Sequence, residues 1–589
     1  MTEPNVNTLW GNVIADEIAK AGVEAAVLAP GSRSTPLTVA VAEHDDIETY
    51  SLLDERSAAF FALGRAKRTD TPTALVCTSG TALANFHPAV IEADRSRVPL
   101  LLLTADRPPE LQDSGANQTI DQERLYGDAV RQYRKLPEPE AADRKLRSLR
   151  TALARAVGTA TGIPRGPVHL DVPLRKPLEP TAGEEAAPLG VPGGAVPDGF
   201  AEAHPLAVDG REGPFVEVTH GRSTLADEDR WGLVDAVENA ESGLVVCGPT
   251  DRPAPATDAL VELARASGFP VLSDPLSGVR FGEHVESAGV TVCGGYNSYL
   301  AAIEASPEVV VRFGASPTSK PLRNYLAESG ARQFVVDPAG GWREATFTAT
   351  DLVVADETRV ASDLAARIER EPGPYAERIR DVEAAYWRLV SSSEPEEGAV
   401  LADVVEAAPD PATLFVSNSM PVRDLDRFAR PRAAELTVLG NRGASGIDGI
   451  TSTALGAGAG TDDPLVLVTG DLAYYHDMNG LLAVARCDVD ATVVCINNDG
   501  GGIFHLLPIE DHDTFDEWFR TPHGLDFEHS AALYDLEFAR TDDRERFGEL
   551  YADSLASART QVIEVVTDSD RSHASRSALH DRVVEELSQ

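Results

Sequence analysis

Leu465-Val-Leu-Val-Thr-Gly-Asp471 and Ala491-Thr-Val-Val-Cys-Ile-Asn-Asn-Asp-Gly500 decide the fold. Each is a short apolar run that stops abruptly at polar residues, as expected for a strand buried on both faces of a parallel sheet. The stretch between them, His476 to Cys487, reads as a helix. Asp471 and Asn498 therefore fall at the carboxyl ends of two strands joined by one helix. In open α/β sheets that edge binds ligands. A carboxylate and an amide oxygen there suit a hard divalent cation, Mg²⁺ or Mn²⁺, that completes its oxygen shell with a diphosphate and water. Gly-Asp and Asn-Asp-Gly are also ordinary turn residues, so the pair alone does not separate a metal loop from two turns.

Outward from this unit the same alternation recurs. Asn7 to Ala21 has helical periodicity and Ala25–Ala29 reads as a strand, followed by the loop Pro30-Gly-Ser-Arg-Ser34. Ile47–Leu53 is a strand ending at Asp54-Glu55, and Ser57–Lys67 is helical. Thr73–Cys77, Pro99–Thr104 and Pro167–Asp171 complete the first set of strands. A second set comprises 243–247, 270–272, 309–313 and 333–336, and charged helical sequence from Glu357 to Val390 leads to a third unit. Alternating strand and helix predicts an α/β protein of three doubly wound parallel-sheet domains. The expected boundaries are 1–180, 224–370 and 371–589. The Pro-, Gly- and Glu-rich stretch 181–223 reads as linker and surface loop. The first and third units show no obvious sequence repeat.

The formal net charge is −42 over 589 residues, and only six of the 52 basic residues are lysine (20, 67, 135, 145, 176 and 320). So acidic a surface suits neither nucleic acid nor an anionic membrane. It resembles the proteome-wide bias of extreme halophiles, in which strong salt screens the repulsion. The five cysteines (77, 247, 293, 487 and 495) form no CxxC pair, which fits neither a disulfide framework nor a zinc site. No long apolar run or signal-like N-terminus stands out, and a cytoplasmic enzyme is expected.

The Gly-Asp…Asn-Asn spacing resembles the signature of thiamine-diphosphate (ThDP) enzymes. In that family Asp471, Asn498 and the Gly500 carbonyl would hold the metal. The three α/β units match its decarboxylase-like plan of pyrimidine-binding, central and diphosphate-binding domains. Glu55 matches the glutamate that bonds the cofactor's pyrimidine ring and promotes loss of its C2 proton. By itself Glu55 reads first as an ordinary acid in a first helical turn; the metal loop in the same chain turns the reading to the catalytic role. Four further stretches sharpen the resemblance: Pro30-Gly-Ser-Arg-Ser-Thr-Pro-Leu37; Thr104-Ala-Asp-Arg-Pro-Pro-Glu-Leu111 with Gly115-Ala-Asn-Gln-Thr-Ile-Asp-Gln122; Asn441-Arg-Gly-Ala-Ser-Gly-Ile-Asp-Gly449; and Thr521-Pro-His-Gly-Leu-Asp-Phe527. They resemble the ThDP family of menaquinone biosynthesis that joins 2-oxoglutarate to isochorismate. The match runs from about residue 7 to 565.

Both implied substrates are dicarboxylates, which arginine forks hold best. By resemblance Ser32, Arg33, Arg107, Gln118, Lys320, Ser419, Arg423, Arg442 and Phe504 contact substrate, and Ile447 wedges under the cofactor to bend it. Pro321 stands where some relatives carry a second basic residue, and Arg323 is only a weak substitute. His476, His505 and His523 carry no spacing that marks them as ligands and are left without a role. The resemblance further implies a homodimer or homotetramer, with Glu55 and Asp471 of one site on different chains. Another ThDP carboligase or decarboxylase, of the acetolactate synthase type with pyruvate and a flavin, is the alternative.

Overall fold

The computed structural model describes residues 5–180, 193–250, 254–393 and 396–588. Three six-stranded sheets, parallel throughout, make up its framework. The first contains β1 (Ala25–Leu28), β2 (Glu48–Ser51), β3 (Thr73–Cys77), β4 (Leu100–Asp106), β5 (Gln132–Lys135) and β6 (Val168–Pro173), in the order β2-β1-β3-β4-β6-β5. The second contains β7 (Gly243–Cys247), β8 (Val271–Ser273), β9 (Val292–Cys293), β10 (Val309–Phe313), β11 (Arg332–Val336) and β12 (Asp351–Val353), in the order β12-β11-β10-β7-β8-β9. The third contains β13 (Ala412–Val416), β14 (Leu436–Leu439), β15 (Leu465–Gly470), β16 (Thr492–Asn497), β17 (Glu537–Thr541) and β18 (Gln561–Val566), in the order β14-β13-β15-β16-β18-β17. The α/β fold of three doubly wound parallel sheets is thus present. The first and third sheets are wound identically although their sequences show no repeat. The second has the dinucleotide-fold order, read from its other edge.

The central strands β1, β3, β4, β7, β10, β13, β15 and β16 are almost wholly buried. That explains why they read as continuous apolar runs rather than alternating ones. By packing, the chain divides into two compact units. One comprises Met1–His220, Asn441–Asp462 and Asp477–Val489; the other comprises Gly221–Gly440, Asp463–His476 and Asp490–Gln589.

The single helix expected over His476 to Cys487 is broken. Asp471–His476 is a short helix, Met478–Leu481 a 3₁₀ turn and Leu482–Cys487 another short helix. The break lies at Asp477, which is non-helical and fully buried. Its carboxylate accepts the Ser452 N–H at 2.6 Å and the Ser452 hydroxyl at 3.0 Å, bonds that a continuous helix would forgo. In the segment expected as a linker, 181–192 lies outside the described residues. Further on, Phe200–Ala203 and Pro205–Val208 are one-turn helices, and Phe200 and Ala207 sit in the core of the first sheet.

Candidate active site

The register Gly470↔Ile496 between β15 and β16 brings Asp471 level with Asn497-Asn498. Asp471 is buried and lies beside the point where the third sheet's winding reverses, between β13 and β15. Its Oδ1 accepts its neighbour's N–H, from Leu472, at 2.7 Å. Its Oδ2 accepts the Gly500 N–H at 2.9 Å, so the two loops are joined. Gly500 has φ +141°, and a Cβ there would lie 2.1 Å from the Arg520 carbonyl oxygen, so only glycine fits.

Asn498 is held by its amide end, which donates from Nδ2 to Glu397 Oε1 at 2.7 Å. Its Oδ1 is buried and has no hydrogen-bond partner. Burial pushes the Asp471 carboxyl up, against the pull of the Gly500 and Leu472 N–H groups and of His523. A buried carboxylate and an orphaned amide oxygen at one strand edge are what a hard cation would satisfy. The donor set therefore fits a Mg²⁺-type ion.

His523, given no role from the sequence, lies against this carboxylate. Its Nε2 is 3.2 Å from Asp471 Oδ2, and its Nδ1 accepts the Leu525 N–H at 2.9 Å. With Nδ1 accepting, Nε2 carries the proton and donates to Asp471. The signal that could have found it is its place in Thr521–Phe527. His505 instead hydrogen-bonds Glu510 at 2.7 Å and Ser569 at 3.1 Å. Phe504 is half-buried and packs edge-on against Phe519.

Ser419 and Arg423 follow β13. Ser419 has φ +70° and ψ −129°, a positive-φ backbone rare for a non-glycine residue, and its carbonyl accepts Arg423 NH1 at 2.6 Å. Strain of this kind clusters at functional sites. Lys320 is exposed at the start of the helix Lys320–Glu328, which Ser319 caps. Arg323 is half-buried one turn on.

The first-sheet candidates gather at the equivalent edge. Arg33 follows β1 and is buried; its N–H donates to Thr78 Oγ1, after β3, at 3.3 Å, and its NH1 donates to the Leu174 carbonyl at 2.7 Å. Burial, then the nearby Arg107 charge, brings its guanidinium down to about 10. Arg107 follows β4 and donates from NH2 to the Asn117 carbonyl at 2.8 Å. Gln118 has φ +55° and donates from Nε2 to the Ser79 carbonyl at 3.0 Å. A Cβ on Gly80 would come within 2.8 Å of the Gln118 side chain. Ser32 is exposed beside Arg33. Two arginines close enough to repel each other at a sheet edge are arranged to receive an anion.

Glu55 is half-buried and opens the helix Glu55–Thr69. Asp54 caps that helix by accepting the Arg56 and Ser57 N–H groups. Gly64 and Gly456 allow the helix to meet Ile450–Gly458 backbone to backbone: a Cβ at either would lie within 2.0 Å of a carbonyl oxygen of the other helix. Arg442 and Ile447, both half-buried, stand on the loop before Ile450–Gly458. Glu92 accepts the Gly443 N–H at 2.8 Å and the Ala444 N–H at 2.6 Å. This loop follows β14 of the third sheet, yet it belongs to the compact unit of the first.

Two family models match the chain: the thiamine pyrophosphate enzyme N-terminal TPP binding domain over residues 10–125, and the C-terminal TPP binding domain over 426–565. A solved structure, the Rhodococcus jostii RHA1 thiamine diphosphate-dependent 4-hydroxybenzoylformate decarboxylase, shares the fold with a TM-score of 0.71. Its identity is 18%, and the match covers 95% of this chain and 99% of that one. Fold and domains together define a ThDP enzyme. Among curated relatives, a protein of Natronomonas pharaonis is 72% identical over 100% of both chains, and one of Haloarcula marismortui is 61% identical over 100% of both. A third, from Halobacterium salinarum, is 59% identical over 99% of both. All three are named 2-succinyl-5-enolpyruvyl-6-hydroxy-3-cyclohexene-1-carboxylate (SEPHCHC) synthase. The chain belongs to the SEPHCHC synthase family.

Proposed function

We propose that this chain carries out the ThDP-dependent decarboxylation of 2-oxoglutarate and the Michael-type addition of the remaining four-carbon unit to isochorismate, releasing CO₂, in menaquinone biosynthesis. The observation that carries the proposal is the buried Asp471 carboxylate with the unpartnered Asn498 oxygen at one strand edge, in a chain alike over its full length to enzymes of that name. Asp471, Asn498 and the Gly500 carbonyl would hold Mg²⁺ or Mn²⁺ and, through it, the diphosphate. The cofactor, when bound, supplies the carbon nucleophile and the electron sink for decarboxylation.

The chain's own residues do the rest. Glu55 would hydrogen-bond the pyrimidine ring of the bound cofactor and so assist its loss of the C2 proton. Ile447 would pack against the cofactor as a positioning residue. Arg33, Arg107, Arg423, Arg442 and Lys320 bind the substrate carboxylates, with Ser32, Gln118 and Ser419 as polar contacts and Phe504 as an apolar wall. Residues 1–180 form the pyrimidine-binding domain, 224–370 the central domain and 371–589 the diphosphate-binding domain. The active unit is a homodimer or homotetramer, in which Glu55 of one chain serves Asp471 of its partner. No helix among the described residues is long and apolar enough to cross a membrane. The setting proposed for this biosynthetic step is the cytoplasm.

The alternative, an acetolactate-synthase-type enzyme, is disfavoured by the arginine-rich motifs, which suit dicarboxylates rather than pyruvate, and its flavin-bound form also by the central sheet. At its winding reversal, between β7 and β10, the Ala315 N–H donates to the Pro249 carbonyl at 2.7 Å. A Cβ on Gly248 would lie 1.8 Å from the Ala315 carbonyl oxygen. The crevice in which this strand order usually takes a dinucleotide's phosphates is bridged by backbone.

The test is an assay in strong salt with ThDP, Mg²⁺, 2-oxoglutarate and isochorismate, with the product identified by mass. Loss of both substrates with a product carrying the succinyl unit is expected. Decarboxylation without transfer would overturn the acceptor. Turnover of pyruvate instead would select the alternative.

A further inference from the structure

A carboxamide has two ends of nearly equal shape and opposite chemistry, and only its oxygen can bind a cation. Something must therefore decide which way Asn498 faces. Its Nδ2 donates to Glu397 Oε1 at 2.7 Å, while its Oδ1 is left buried without a partner. Both Glu397 oxygens already face donors, Oε1 the Thr567 hydroxyl and Oε2 the Arg576 guanidinium, so Glu397 acts as an acceptor and Asn498 meets it through nitrogen.

Glu397 is itself fixed. It is 2% exposed. Its Oε1 also accepts the Thr567 hydroxyl at 3.3 Å, and its Oε2 accepts Arg576 NH2. Arg576 lies on the C-terminal helix Ser569–Leu587 and is buried. Its fork closes on Asp424, with Nε to Oδ1 and NH2 to Oδ2 both at 2.7 Å. Asp424 is next in sequence to Arg423, on the helix Met420–Phe428. Two buried carboxyl groups share one guanidinium; burial pushes the Glu397 carboxyl up, against the pull of Arg576. Glu397, Asp424 and Arg576 all lie outside the 426–565 matched by the C-terminal family model.

We infer that Glu397, clamped by Arg576 against Asp424, is a positioning residue that turns the Asn498 oxygen toward the cation and sets the affinity of the site. The inference rests on Asn498 being a metal ligand. Groups that orient ligands from behind typically change metal affinity about 10–100-fold when removed.

The experiment is Mn²⁺ binding to the full-length protein in strong salt with ThDP, followed by the loss of the free Mn²⁺ paramagnetic resonance signal. The variants are Asp471→Asn, Asn498→Ala, Glu397→Gln, Glu397→Asp and the Glu397→Gln/Asn498→Ala pair. Gln keeps the shape of Glu397 but can donate as well as accept, so Asn498 is free to turn over. Glu397→Gln is expected to weaken Mn²⁺ binding about 10–100-fold. Glu397→Asp, still an acceptor only, is expected to weaken it less. In the Asn498→Ala background Glu397→Gln should cost nothing further, because the group it orients is gone.

Wild-type affinity in Glu397→Gln, or losses that add in the double variant, would overturn the inference while leaving the metal site standing. Unchanged affinity in both Asp471→Asn and Asn498→Ala would instead remove the site reading itself. Should Glu397→Gln not fold, Arg576→Lys replaces it, since it retains a buried positive charge. A loss that vanishes in the Asn498→Ala background supports the inference, and no loss overturns it.

Discussion

The carboxylate of Asp471 accepts the backbone N–H of Gly500 at 2.9 Å. The loops after β15 and β16 are therefore held together by the protein's own bonds, and a cation would meet a preformed edge. Asp471→Ala removes both a proposed ligand and this tie. ThDP binding in the presence of Mg²⁺, followed by titration calorimetry, should fall below detection. Stability should fall by about 1–3 kcal/mol for the stranded Gly500 N–H, read by denaturant unfolding without cofactor. Tight ThDP binding by this variant would refute the metal assignment.

Glu55→Gln should lower kcat by roughly 10²–10⁴, the range for losing general acid–base help, and leave Mg²⁺ affinity unchanged. Because Glu55 and Asp471 are proposed to serve one site from two chains, mixing inactive Glu55→Gln with inactive Asp471→Ala subunits should restore part of the activity. No recovery after proven subunit exchange would remove the shared-site proposal.

Arg33→Lys keeps a positive charge but loses the fork that reaches the Leu174 carbonyl. Hydrogen bonds to charged groups contribute about 1.5–3 kcal/mol, so the KM for at least one dicarboxylate should rise about tenfold or more. An unchanged KM for both substrates would place Arg33 outside the substrate site.

Asp477 supplies a pH signature. Burial raises its carboxyl to about 7, against the Ser452 bonds and the Arg56 charge 3.8 Å away. The unfolded chain releases this proton near the ordinary aspartate value of about 4. Between these values the folded state holds a proton that the unfolded state has lost. Asp477 therefore contributes a stability that declines by up to about 1.4 kcal/mol per pH unit as pH rises through the window, and is level above about 7. His169, lowered by burial to about 3, acts with the opposite sign over much of the same range. The wild-type curve alone therefore does not isolate Asp477. The difference between wild type and Asp477→Asn does: the variant should be more destabilised at pH 5 than at pH 8, by about 2–3 kcal/mol. A pH-independent difference would contradict the raised carboxyl.

The net charge of −42 predicts unfolding or loss of activity on dilution into low salt, where the Debye length grows from about 3 Å at 1 M to about 30 Å at 0.01 M. Circular dichroism along a KCl series checks this. Full retention of structure in dilute buffer would show that the charge is not a salt adaptation.

The readable parts of the fold were those in which local chemistry and tertiary role coincide. Strands such as β4 and β16 are buried on both faces, so an unbroken apolar run announces them. Asp471 and Asn498 were legible because polar residues end those runs. Gln132–Lys135 escaped notice because β5 is a half-buried edge strand with a polar sequence. The helix expected over His476 to Cys487 failed because its break depends on Asp477 reaching Ser452, 25 residues away. Glu397 lies 101 residues from Asn498 and reads as one acid among many. His523 sat inside a recognised motif, but only its contact with Asp471 separates it from an ordinary loop histidine.

The first and third sheets share one winding without sharing a sequence. A scaffold of this kind is indifferent to what its strand-end loops carry. The loops of one copy carry Arg33, Arg107 and Glu55; those of the other carry Arg423, Arg442, Asp471 and Asn498. For protein engineering, one winding with two sets of strand-end loops points to the loops after β1, β3 and β4 as the place to regraft for new acceptor chemistry, with the proposed cation-binding loops after β15 and β16 left untouched.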